Sequence, residues 1–325
     1  MGGSVRDTFL EVAEEPKRRS AVADFFRRLV REKPLGTVGG IIVLLLLLTG
    51  VFADLLAPYG VNEIHLKDSL SPPSNQYVLG TDNLGRDMLS RVIFGARISM
   101  IVGIAATMLS VLVSAVIGIL CGFIGGKFDI IVQRFVDAWM CIPGLVLLII
   151  VVTIVGPGMW QVIILLGLLY GIGGSRIVRG AVIGIRENVY VSAAVSIGCP
   201  TIRILTRHVL PNIMAPIIIL FTTRMPAVIL VEASLSFLGF GIPPPAPSWG
   251  GMLSGSGRQF MLMAPWMALW PGLALAIVVY GVNMFGDAVR DLLDPRLRGG
   301  VGRYSGVPKR LTKKRRAQDA ELKAN

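Results

Sequence analysis

Histidine, cysteine and acidic residues are all scarce in this 325-residue chain. His65 and His208 are the only histidines and stand far apart, which argues against a metal site and leaves no partner for a His-assisted nucleophile. Cys121, Cys141 and Cys199 are an odd three without metal spacing, so they read as small apolar fillers rather than a disulfide framework. No phosphate-cradling GxxxxGK[ST] loop occurs, so this chain does not bind ATP in that way. Charged residues are only 16% of the total, against about 25% in an ordinary soluble domain. The 32 Lys and Arg outnumber the 20 Asp and Glu, giving a net charge of +12. These basic residues lie in tails and loops without aromatic interleaving, so nucleic acid is not an expected partner.

Long apolar runs fill the rest. Hydrophobic residues make up 53% and the mean hydropathy is +0.69. A spanning helix needs roughly 20 mostly apolar residues, and six such stretches fit: about 37–56, 98–121, 136–156, 159–174, 212–238 and 265–287. The expected fold is all-α, a polytopic membrane protein with six transmembrane helices. Lys and Arg flanks are retained in the cytoplasm. Residues 1–36 carry eight of them, 174–211 carry five and 288–325 carry eleven. The opposite loops are poorer: 57–97 has four against four acids, and 239–264 has Arg258 alone. Both termini and the 176–211 loop are therefore expected inside, with attraction to anionic membrane lipids as a secondary effect. The run from Thr37 to Leu56 follows 36 residues, six of them acidic, and lacks a small-x-small cleavage site, so it reads as an uncleaved anchor.

The expected organisation is a cytoplasmic segment 1–36, a first span and outer segment 37–97, a five-helix core 98–290 and a basic tail 291–325. Around Val22 to Val30 the segment reads either as an amphipathic helix on the inner surface or as a solvated charged tail. In the outer segment, Asp82 or Asn83 is placed to cap the following helix. Pro143, Pro216 and Pro226 interrupt spans, and such breaks tend to face other helices or a cavity. Gly103, Ala106, Ser110 and Ser114 recur every three or four residues, a face that lets another helix approach.

Between Arg176 and Pro211 the sequence predicts a helix to about Arg186, a second from Val189 to Ile197, a break at Gly198-Cys199-Pro200, and a third from Thr201 to Val209. Ser192-Ala193-Ala194, Gly198, His208 and Leu210-Pro211 resemble, in register, the Glu-Ala-Ala loop of bacterial ABC-importer permeases. The family's Glu is Ser192 here and its Ile is His208. The run Glu232-Ala233-Ser234-Leu235-Ser236-Phe237-Leu238-Gly239, continuing to Pro243-Pro244-Pro245, Pro247 and Trp249-Gly250, resembles the signature of the dipeptide/oligopeptide/nickel permeases. Leu79 to Asp87, Ser90-Arg91 and Gly95-Ala96-Arg97 resemble the segment before that family's second span. The C-type subunit is the most similar.

The resemblance implies a type I ABC-importer-like permease in the bacterial inner membrane. Its implied partners are a second homologous permease, two ABC ATPase subunits that hold ATP and Mg, and a periplasmic or lipid-anchored substrate-binding protein. The chain itself is then no enzyme. The cargo is expected to be di- or oligopeptides, with nickel chelates, glutathione, opines or oligosaccharides as alternatives. A secondary transporter or an integral-membrane enzyme is the rival reading, but each needs relay carboxylates or clustered His and Cys that are missing here. The 243–250 run reads as a stiff outer cap seating Trp249 as an interfacial ring. Arg224 and Glu232 are the two charges within a span. Eight residues put them about 12 Å apart along the axis, too far to pair directly. Arg224 is expected to face the central cavity or to make an intersubunit or backbone contact, and Glu232 to support the helix end beneath the outer gate.

Overall fold

The computed structural model describes residues 21–293, and nearly all of its regular structure is helical. In chain order the helices begin with α1 (Ala21–Glu32), α2 (Pro34–Val51), α3 (Ala53–Leu56), α4 (Met88–Ile124) and α5 (Gly126–Cys141). There follow α6 (Gly144–Val155), α7 (Met159–Arg186), α8 (Val189–Ser196), α9 (Thr201–Ile204) and α10 (Leu210–Phe237). The set ends with α11 (Trp249–Leu253), α12 (Gly255–Gln259) and α13 (Trp266–Leu293). Five crossings are long and apolar: α2, α4, α7, the continuous Thr201–Phe237 helix, and α13.

The expected span at 136–156 takes a different form. The apolar run 136–156 is not one straight span, because α5 and α6 meet at 88°. Ile142 precedes Pro143 and is extended (ψ 128°), as steric conflict with the proline ring requires. The second span also starts earlier than the expected residue 98, at Met88, so residues 37–97 do not close where α4 begins. Asp87 is its cap, accepting from the Ser90 amide at 2.7 Å, in place of the expected Asp82 or Asn83. Asp82 instead ties down its own loop, accepting from the amides of Leu84 and Arg86.

Nor does the helix from Thr201 end at Val209. Pro211 cannot donate to the Arg207 carbonyl, and the turn before it widens into a π-helical stretch, Leu205–Val209, after which α10 continues. Pro226 likewise frees the Thr222 carbonyl. Gly286 of α13 packs against that carbonyl, where an added Cβ would lie only 2.8 Å away.

Packing is inverted relative to a soluble protein. Leu44, Leu45, Leu112, Val116 and Ile154 face outward, whereas Ser99, Thr107, Ser110 and Ser114 are buried. Lipid gives apolar side chains no reason to turn inward, so small residues that let backbones approach occupy the helix seams. The expected face of Gly103, Ala106, Ser110 and Ser114 is indeed buried. Ser114 donates to the Gly171 carbonyl of α7 at 2.8 Å.

The ends of the bundle meet on one side. Leu29 of α1 is buried with Ala288 and Leu292 of α13, and Lys33 pairs with Asp291. Phe26 and Val30 stay exposed on α1, an arrangement suited to a helix lying in the membrane interface. The basic tail 291–325 falls almost wholly outside the described residues.

Candidate functional site

The inner loop is a short helix on a rigid seat. Val191 and Ala194, three residues apart on α8, are buried beside Ile204, Val209 and Ile213. Gly198 (φ 74°) closes α8: its amide donates to the Val195 carbonyl and that of Cys199 to the Ala194 carbonyl, both at 3.0 Å. That pattern is the Schellman motif, which needs the left-handed backbone glycine tolerates. Ser192 and Ala193 are exposed, and Val189 and Ile197 are more than four-fifths exposed.

The remaining inner-loop residues follow on the next helix. His208 sits in the π-helical stretch, its ring 6.1 Å from that of Tyr190 on α8, and its carbonyl accepts from Asn212 Nδ2 at 2.6 Å. Leu210 and Pro211 are exposed at the start of α10. The expected set Ser192, Ala193, Ala194, Gly198, His208, Leu210 and Pro211 therefore lies in two adjacent helical segments on the inner side. A groove of about 490 Å³ runs alongside, lined by Phe123, Arg186, Ser192, Val195 and Thr201.

Arg224 stands apart from that set. Its guanidinium lies 5.4 Å from the centre of the Tyr170 ring on α7, a cation–π contact. Both residues line a cavity of about 410 Å³ with Trp139, Met140 and Leu145. Trp139 and Tyr170 were missed in the sequence, where nothing distinguishes them from other aromatics of membrane helices. Trp139 reaches the same wall as Tyr170 through the α5–α6 bend.

Glu232 is fully buried, and its Oε1 accepts from the Ser236 hydroxyl at 2.8 Å. Ser236 Oγ in turn accepts from the Ile242 amide at 3.2 Å, so the carboxylate anchors the turn where α10 ends. Trp249 is not an interfacial ring. It is 2% exposed, its Nε1 donates to the Val92 carbonyl of α4 at 3.0 Å, and it lies flush against Gly95. Pro243, Pro244 and Pro245 remain exposed above it. Among the described residues no cluster of three or more His, Cys, Asp or Glu could hold a metal.

Residues 114–299 match the family described as "Binding-protein-dependent transport system inner membrane component", and residues 20–73 match the "N-terminal TM domain of oligopeptide transport permease C". The chain is 37% identical over 268 residues to the oligopeptide transport system permease protein OppC of Bacillus subtilis, covering 82% of this chain and 88% of that one. It is 36% identical over 290 residues to the glutathione transport system permease protein GsiD of Pectobacterium atrosepticum, covering 89% and 96%. Among solved structures it is similar to a chain of the MetNI methionine ABC transporter in inward-facing conformations, at 17% identity and a TM-score of 0.48, covering 64% and 98%. The chain thus belongs to the binding-protein-dependent transport system inner membrane components, as a multi-pass permease subunit of an ABC importer.

Proposed function

We propose that the chain, with a second homologous permease, forms the translocation pathway of an importer of di- or oligopeptides, and that α8 couples it to separate ATPase subunits. The observation that carries the coupling is the exposure of Val189, Ala193 and Ile197 on a helix whose other face is locked into the bundle. Apolar residues so exposed on a basic, water-facing side need a protein partner. ATP and Mg belong to that partner. When the ATPase subunits close on ATP, α8 moves with them, and the unbroken Thr201–Phe237 helix carries the motion to the outer end. A substrate-binding protein delivers cargo to that outer end, where Glu232 and Trp249 fix the gate.

The peptide reading is supported by the oligopeptide permease relative, and the glutathione permease relative is compatible with a short peptide-like cargo. Arg224 on the cavity wall is placed to meet a carboxylate of such a cargo. Arg224→Ala then lowers uptake of acidic peptides more than that of neutral ones, and equal uptake of both removes the role. The assembly itself is tested by purifying the tagged chain from membranes in mild detergent. Recovery of a second permease and one or two ATPases supports it, and a lone chain or homo-oligomer contradicts the proposed assembly.

A further inference from the structure

The first turn of the second crossing and the loop before it hold a charge arrangement that the coupling helix does not use. Asp82, Arg86 and Arg91 line a cavity of about 350 Å³ beneath the outer loops, closed by Ser236, Ile242, Ser254 and Ser256. That volume is at the lower end of small-molecule sites, about 300–1,000 Å³. All three charged side chains are strongly buried, at 5% exposure for Asp82, 13% for Arg86 and 9% for Arg91.

Asp82 is already saturated by its own loop. Its Oδ1 accepts from the amides of Leu84 and Arg86 at 2.8 and 2.9 Å, and its Oδ2 from Arg86 Nε at 2.7 Å. Arg91 is left at 3.7 Å from Asp82, beyond hydrogen-bond distance, and among the described residues its one side-chain hydrogen bond is Nη1 to the Val61 carbonyl at 3.4 Å. The nearby Asp87 carboxylate is turned away, accepting from the amide and hydroxyl of Ser90 at 2.7 Å. Among the described residues no other carboxylate comes within 4.0 Å of Arg91. Two guanidiniums thus share one carboxylate, leaving one positive charge and most of the five donors of Arg91 uncompensated. A buried charge in this state is costly unless something of opposite sign arrives.

We propose that this cavity is a carboxylate-binding site, in which Arg91, backed by Arg86, receives one carboxylate group presented from the outer side. A guanidinium matches a carboxylate in shape and donor spacing. The exposed rim at Gly239, Pro243, Pro244 and Gly255 makes the site reachable from outside. The group is carried either by the terminus of a short peptide or by an acidic side chain of a protein docked on the outer face. The first carrier rests on the peptide cargo proposed above, and the second does not.

The test is binding of ¹³C-labelled acetate to the full chain in lipid nanodiscs, followed by NMR line broadening. Saturable binding is expected, weakened at least about tenfold in Arg91→Gln, the equivalent of one charge-assisted hydrogen bond. Displacement by trialanine but not by its C-terminal amide identifies a peptide terminus as occupant, and no displacement by either identifies the acidic side chain. Ser256→Asp provides a second reading that leaves both arginines intact. It should abolish acetate binding while the melting temperature holds or rises, because the new carboxylate fills the site. Absence of saturable acetate binding, equal binding by Arg91→Gln, or a marked loss of stability in Ser256→Asp overturns the proposal.

Discussion

Arg179 of α7 grips Asp129 of α5 with two parallel hydrogen bonds, Nε to Oδ1 at 2.6 Å and Nη2 to Oδ2 at 2.5 Å. One turn earlier on α7, Arg176 pairs with Asp137, so α5 is clasped to α7 at two points. The clasp holds the first arm of the bent crossing against the bundle, and with it the wall that carries Trp139.

Loss of this clasp should be felt as stability. The Asp129 side chain is only 12% exposed, so removing its partner leaves a carboxylate short of donors. Arg179→Ala is expected to cost about 1–3 kcal/mol, read as a lower thermal midpoint in detergent. Arg179→Lys recovers only part of it, because an ammonium cannot reproduce the two-pronged contact. Equal midpoints for all three proteins would show that the pair is screened and idle.

Gly286→Ala tests the seam between α10 and α13. The added methyl would stand 2.8 Å from the Thr222 carbonyl oxygen, which belongs to backbone and cannot rotate away. Overpacking of this kind costs about 1–3 kcal/mol. Gly180→Ala on α7, where nothing lies within 4 Å of the new methyl, serves as the control and should be neutral or slightly stabilising.

The outer segment carries a pH dependence outside the spanning helices. Tyr77 is 3% exposed and its hydroxyl donates to Asp68 Oδ2 at 2.9 Å. Burial, with Asp68 beside it, pushes its phenol up to about 12. The folded value lies above the ordinary value of about 10, so the neutral phenol's contribution is whole below about pH 10 and is lost as pH rises through about 12. Thermal midpoints should therefore fall more steeply between these limits in the wild type than in Tyr77→Phe, and parallel curves would contradict the assignment.

Which features could be read from the residues follows a physical divide. The apolar spans and the 189–197 helix depend on local composition and on Gly198, so they are legible along the chain. The 88° bend after Cys141 is not, because the apolar run 136–156 reads through it and the clasp that fixes α5 joins residues 50 positions apart. Pro211 gives a real signal, but a helix can answer it by ending or by widening, and only packing of Val209 and Ile213 decides for the wider turn. Trp249 fits an interface by composition. Its burial depends on Gly95, a vacancy on another helix that no local pattern announces.

The most direct test of the coupling role of α8 is ATP-driven uptake of labelled trialanine into vesicles that contain the assembled importer, with wild-type chain or Ala193→Arg. Ala193 is exposed and its replacement leaves the buried Val191 and Ala194 untouched. The predicted result is ATP-dependent uptake for the wild type and a loss of at least about tenfold for the variant, with the variant chain still folded in the membrane. Undiminished uptake by Ala193→Arg, or uptake that persists when the ATPase subunits are left out, would contradict the account.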